Sequence, residues 1–195
     1  MFRKERYKLS LPLFVVCMTI LLSGCQTFNS QVLDLHPEVQ VNRKLPADAR
    51  IDIQTKDLRN SEIIGFRMTG EQPNPQIVLK NPHELLAHTA EHALEDMGIR
   101  RFYSGEFKLV VTLVDLNYNV TKKTLKQKAD VDMKIRLELS KGEKSYTGTY
   151  ATEKSQTFLK TPTEKENELL ITDVVSQTMN RAFNDPQLLD FIQFN

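Results

Sequence analysis

Thiols and glycines are scarce in this chain of 195 residues, which has two cysteines, seven glycines and no tryptophan. Two cysteines are too few for a disulfide framework. So few glycines exclude a collagen-like or glycine-rich low-complexity chain. A dominant charge is missing too. The formal net charge is +1, which gives no global pull toward nucleic acid. No serine sits in a Gly-x-Ser-x-Gly elbow, and no glycine loop is built to cradle phosphate. Apolar residues at 40% and charged residues at 26% suit a folded domain with appendages.

What is present is concentrated at the start. Arg3, Lys4, Arg6 and Lys8 crowd the first positions against Glu5 alone. The apolar run from Leu9 to Leu22 follows, broken by Ser10, Pro12 and Thr19. It is shorter than the ~20 residues that span a bilayer as a helix. A positive stretch before a short apolar run is the pattern of an export signal. Leu22-Ser23-Gly24-Cys25 then looks like a bacterial lipobox. Small Ser23 and Gly24 give a signal peptidase access to the bond before Cys25, and the Cys25 thiol takes a diacylglycerol group. Each buried CH₂ contributes about 0.8 kcal/mol, so two or three acyl chains hold essentially permanently where one holds only marginally. The resemblance to a bacterial lipobox implies sorting to the outer membrane, because Gln26 follows the cysteine in place of the aspartate that marks inner-membrane retention. Cleavage removes Cys17, and acylation consumes Cys25. No thiol is then left for a disulfide, a metal or a nucleophile.

The expected organisation is a signal peptide over 1–24, a lipidated Cys25 with a tether over 25–49, and one periplasmic domain over 50–195. Pro37, Pro46 and polar residues favour the tether, although Val39 and Val41 are able to add an edge strand. Ile51 and Ile53 alternate with polar neighbours as a short strand. The loop over 56–76 has a possible strand at Ile64 to Met68, and Ile77 to Leu79 is another short apolar run. Asn81-Pro82-His83-Glu84 starts a helix, with Asn81 as cap and Glu84 reaching back. Leu85, Leu86, Ala90, Ala93, Leu94 and Met97 continue at helical spacing, and Gly98 ends it. Phe107 to Val120 reads as a strand. Ala129 to Leu139 alternates with polar residues throughout, which means one apolar and one wet face. Lys141-Gly142-Glu143 turns the chain into a third strand over Ser145 to Phe158. Thr163 to Glu166 is a capping box before a helix that buries Ile171, Val174, Val175, Thr178 and Ala182. Asp185-Pro186 starts a last helix with Leu188, Leu189 and Ile192 inward. The fold expected is α+β: an antiparallel sheet of three long strands plus one or two short ones, with two main helices on one face.

These features together resemble the YajG family of bacterial lipoproteins from Cys25 to about Gln193. The stretches that carry the likeness are Ile51-Asp52-Ile53 with Asp57-Leu58-Arg59, Leu86 to Gly98, Leu109 to Val120 with Lys128-Ala129-Asp130, and Asp185 to Ile192. The resemblance implies an outer-membrane lipoprotein and supplies no catalytic residues.

Candidate chemistry is sparse. His88-Thr89-Ala90-Glu91-His92 spells the inverted zinc-protease motif, with Glu168 a tempting third ligand. The helical wheel sets Leu86, Ala90, Ala93 and Met97 inward and His88, Glu91 and His92 on the wet side, facing solvent rather than a cleft. His88 and His92 are therefore weak metal candidates, and neither a metal nor another cofactor is expected. His36 and His83 read as surface residues without partners. Lys122, Lys123, Lys126 and Lys128 read as a solvated hairpin tip, with contact to an anionic lipid or glycan as the alternative. Without stacking aromatics they do not read as a nucleic-acid site. Tyr118, Tyr146 and Tyr150 pack on the sheet or share a binding patch. The expected function is a non-catalytic module on the inner leaflet of the outer membrane that binds an envelope protein. A small-ligand binder, for instance of a wall fragment, is the alternative, and a zinc hydrolase comes third.

Overall fold

Residues 30–45, 49–70, 74–101, 105–123 and 125–195 are described by a computed structural model. Three long strands dominate it: β6 (Phe107–Lys123), β7 (Lys126–Lys141) and β8 (Lys144–Phe158) form an antiparallel meander. β7 keeps its period of two for its whole length. Gln127 and every odd residue from Ala129 to Leu139 is buried, and the even ones are partly or fully exposed. β6 keeps pace by means of a bulge. Its positions in the hydrophobic core are odd from Phe107 to Leu113 and even at Leu116 and Tyr118, with the register shift falling between Leu113 and Asp115. One extra residue thus turns the second half of the strand back toward the core.

The other edge of β6 is shared by two strands. β2 (Arg50–Asp57) pairs with its first half and β3 (Ile63–Phe66) with its second, both parallel. β4 (Gln76–Val78) runs antiparallel to β3, β1 (Gln31–Val32) runs parallel to β4, and β5 (Arg100–Arg101) runs parallel to β2. The expected antiparallel sheet is corrected on two points. It is mixed, and among the described residues five shorter strands accompany the three long ones. The physical reason is α1 (Pro82–Asp96), a helical crossover that carries the chain back and lets β6 start in the direction of β2. β3 approaches β6 so closely that a Cβ on Gly65 would stand 2.0 Å from the Tyr118 carbonyl oxygen. Glycine is required there by the approach itself.

α1 packs on β2, β5 and β6, and α2 (Glu164–Phe183) packs on β7 and β8. With α3 (Pro186–Phe194) they bury their apolar sides in one core. The capping box of α2 forms as expected, with Thr163 Oγ1 accepting from the Glu166 backbone and the Glu166 carboxylate accepting from the Thr163 backbone. Asp185 caps α3 through the Gln187 backbone. Gly98 at φ 93° ends α1, with its own N–H bonded to the Glu95 carbonyl and that of Ile99 to the Leu94 carbonyl. The cap expected of Asn81 is absent: its side chain makes no capping bond, and Pro82 alone marks the start.

Residues 31–45 belong to the region expected as a tether, yet they are docked on the domain. Leu33, Leu35 and Leu45 are buried, Val39 and Val41 pack against the core, and the even residues from Asp34 to Lys44 are exposed. This extended strap lies along α2 and is held by its side chains. Ser176 Oγ accepts from the Glu38 backbone at 3.1 Å, Asn180 Oδ1 from Gln40 at 2.7 Å, and Asn184 Oδ1 from Asn42 at 2.7 Å. The two asparagines also donate to the carbonyls of Glu38 and Gln40, at 3.1 and 2.8 Å. A row of side chains four residues apart on the helix therefore serves the strap as a neighbouring strand would. Arg43 then reaches Asp190 and Gln193 of α3, and Leu45 bonds the Met97 carbonyl.

Candidate functional site

The strap bounds a groove of about 710 Å³ with α1. Leu33, Leu35, Val39, Leu79 and Leu85 give it an apolar floor, and Asp34, His36, Glu38, Glu84, His88 and His92 give it polar walls. The helical wheel correctly assigns His88 and His92 to the exposed side of α1, and Leu86, Ala90, Ala93 and Met97 to the core. It does not foresee the strap beside that side, so the expectation that these histidines avoid any cleft is corrected. Their Nε2 atoms lie 3.2 Å apart with the rings edge-on, and His92 Nδ1 stands 3.7 Å from Glu95. Two imidazoles at this spacing offer a cation two ligands, one short of a catalytic zinc centre. Glu91 and Glu168 do not line the groove. Among the described residues no group of three His, Cys, Asp or Glu is placed to hold a metal.

The lipid-attachment residue Cys25, with Ser23 and Gly24 of the lipobox, lies outside the described residues. His36 and His83 have partners after all: His36 stands 3.4 Å from Asp34, and His83 Nδ1 is 3.0 Å from Thr55 Oγ1. The three tyrosines pack under the sheet instead of sharing an open patch. Tyr118 donates to Asn167 Oδ1 at 2.6 Å, and Asn167 donates to Gln31 Oε1 at 3.2 Å. Gln31 Nε2 completes the chain at the Glu164 carbonyl, 2.6 Å away. Burial pushes the Tyr118 phenol up, against a smaller opposing effect of Arg67. Tyr146 and Tyr150 both donate to Asp185 Oδ2, at 2.9 and 2.8 Å. Burial pushes the Asp185 carboxyl up, but the bonds it accepts from Tyr150, Gln187, Tyr146 and Leu188 outweigh this and hold it below its ordinary 3.8.

Asp57-Leu58-Arg59 acquires a structural role. Arg59 grips Asp57 with two bonds of 3.0 Å, and its side chain is 5% exposed. It also donates to the Leu79 carbonyl at 3.3 Å. The pair sits where β2 ends and the chain steps out before β3 takes over the edge of β6. The open face of the sheet is polar. It carries Asp132, Lys134, Arg136 and Glu138 of β7 beside Thr147, Thr149 and Glu153 of β8. The free edge of β8 is guarded at its middle by Arg181, which donates to the Ala151 carbonyl at 2.7 Å.

A family described as uncharacterized lipoproteins matches residues 37–193. The chain belongs to that family. No curated protein matches it. Among solved structures, a protein of Xanthomonas campestris is similar at 12% identity with a TM-score of 0.53, over 81% of this chain and 93% of that one. That likeness concerns the fold alone. A lipoprotein of Neisseria meningitidis aligns at 16% identity over 68% of this chain and 99% of its own, with a TM-score of 0.32. Among the described residues of this family member, no helix is long and apolar enough to cross a membrane.

Proposed function

We propose that this lipoprotein is a non-catalytic binding module, fixed through acylated Cys25 to the inner leaflet of the outer membrane with its fold in the periplasm. The observation that carries the reading is the strap. The segment that leads from the anchor is built into the domain from Gln31 onward by buried leucines and the asparagine ladder. A partner that grips the domain is thereby held at the membrane with little slack. The open sheet face, lined with charges and hydroxyls, suits the polar surface of another envelope protein. Photo-crosslinking in intact cells tests this. Crosslinkers at Thr147 and Arg136 are expected to capture one discrete envelope protein. The reading fails if these positions capture nothing while a crosslinker in the groove captures a partner.

The groove supports a second reading, a small-ligand binder. Its volume falls within the range of roughly 300–1,000 Å³ usual for ligand sites, and its acids favour an amine-bearing molecule such as a wall fragment. Titration with wall peptides, followed through the His88 and His92 ring signals, is expected to move those signals if this reading holds. Unmoved rings sink it.

A further inference from the structure

The strand directions show which end of the fold faces the anchor. β6 runs toward the hairpin that joins it to β7, and β3 is parallel to β6. β4 is antiparallel to β3, and β1 is parallel to β4. β1 therefore runs away from the hairpin, and the chain before Gln31 leaves on the hairpin side. Hydrogen bonds agree. Gln31 is bound to Glu164 and Asn167 in the first turn of α2. Just before that turn, Thr161 Oγ1 accepts from Gln127 at 2.9 Å and donates to the Met68 carbonyl at 3.3 Å. Gln127 lies next to Lys126 at the hairpin and opposite Phe158 of β8. Gln31 stands six positions after Cys25, so covalent geometry limits the anchor to roughly 20 Å from it.

This same end carries two leucines that the fold leaves in water. Leu125 at the hairpin and Leu159 after β8 are each 82% exposed. Exposed lysines stand beside both: Lys122 and Lys126 at the hairpin, and Lys160. The sequence holds no acid between Leu116 and Ala129, nor between Lys154 and Thr163. Among the described residues, the acids that border this end are engaged. Asp130 is 2.5 Å from Lys128, Glu164 pairs with Arg67, and Glu166 belongs to the α2 cap near Lys160. Leucines flanked by lysines suit the boundary between acyl chains and negatively charged headgroups.

We propose that Lys122, Leu125, Lys126, Leu159 and Lys160 dock on an anionic lipid surface, the leaflet that holds the anchor. The proposal rests on the anchored reading given above. Docking sets the orientation of the domain: α2 and the strap lead away from the bilayer, and the turn at Gly142 and Glu143 points into the aqueous space.

The mature lipoprotein in phospholipid vesicles tests it. Once the leader is gone and Cys25 is acylated, Leu125→Cys supplies the one free thiol for an environment-sensitive fluorophore. The label is expected to shift to the blue, and to be quenched by spin-labelled lipid, on phosphatidylcholine vesicles that contain phosphatidylglycerol. A label at Glu143→Cys is expected to stay in water. Changing Lys122, Lys126 and Lys160 to Gln lowers the ratio of docked to undocked protein by roughly five-fold per lysine. A water-exposed label at position 125 on acylated protein overturns the docking alone. Mass spectra that show an unacylated Cys25 overturn the anchor, and docking with it. A shift that follows protein density and ignores phosphatidylglycerol identifies a second copy as the occupant and also overturns the proposal.

Discussion

Replacing Asn167 by Ala probes the polar chain that holds the first strand in place. Asn167 is 1% exposed, and Tyr118 and Gln31 are each 4% exposed. Alanine takes the acceptor from the Tyr118 hydroxyl and the donor from Gln31 Oε1, in a region closed to water. A buried polar group left unsatisfied costs about 1–3 kcal/mol. Two such groups and a small cavity put the expected loss at about 3–5 kcal/mol. That is a large share of the roughly 5–15 kcal/mol that holds a typical domain together, and it corresponds to a fall in Tm of roughly 10 °C. Urea unfolding of the mature protein, followed by circular dichroism, measures it. Tyr118→Phe leaves only Asn167 Oδ1 short of a donor and is expected to lose about 1–2 kcal/mol. Tyr118→Phe with Asn167→Leu removes both polar groups of that contact and is expected to lose less than Asn167→Ala alone. A loss under about 1 kcal/mol for Asn167→Ala, or independent effects of the two sites, refutes the reasoning.

Three further outcomes follow from named contacts. Asn180→Ala with Asn184→Ala removes four strap bonds, so hydrogen exchange at the Gln40 and Asn42 amides is expected to speed up far more than at β7 amides. Equal protection before and after contradicts the ladder. Arg59→Ala strands the partly buried Asp57 carboxylate and the Leu79 carbonyl, with an expected loss of about 3 kcal/mol in denaturant titration; Asp57→Ala with Arg59→Ala is expected to recover part of it. The carboxyl of Asp185 is held below its ordinary 3.8 when folded, so its stabilising effect is complete above that value and fades as pH falls through the lower folded value. Asp185→Asn keeps the helix cap and is expected to flatten the acid side of a Tm-against-pH curve; an unchanged slope there speaks against the tyrosine–aspartate cluster.

Short-range signals made much of the fold legible. The alternation of β7, the Thr163–Glu166 box, the apolar face of α2 and the glycine after α1 each depend on residues within a few positions of one another. The parallel placement of β2 and β3 depends on α1 as a crossover and on Gly65 admitting β3 beside Tyr118, which no local pattern carries. The strap shows the same divide. Its odd-numbered Leu33, Leu35, Val39, Val41 and Leu45 alternate plainly, but their partners Asn180 and Asn184 lie about 140 residues away, and asparagines on a helix read as solvated. The groove was hidden for that reason. The wheel assigns His88 and His92 to the wet side of α1, and only the docked strap turns that side into a wall.

The anchor is tested most directly by mass spectrometry of the protein isolated from its own membranes. The account predicts a first residue Cys25 bearing a thioether-linked diacylglycerol. A chain that still begins before Cys25, or one whose Cys25 thiol is bare, contradicts it.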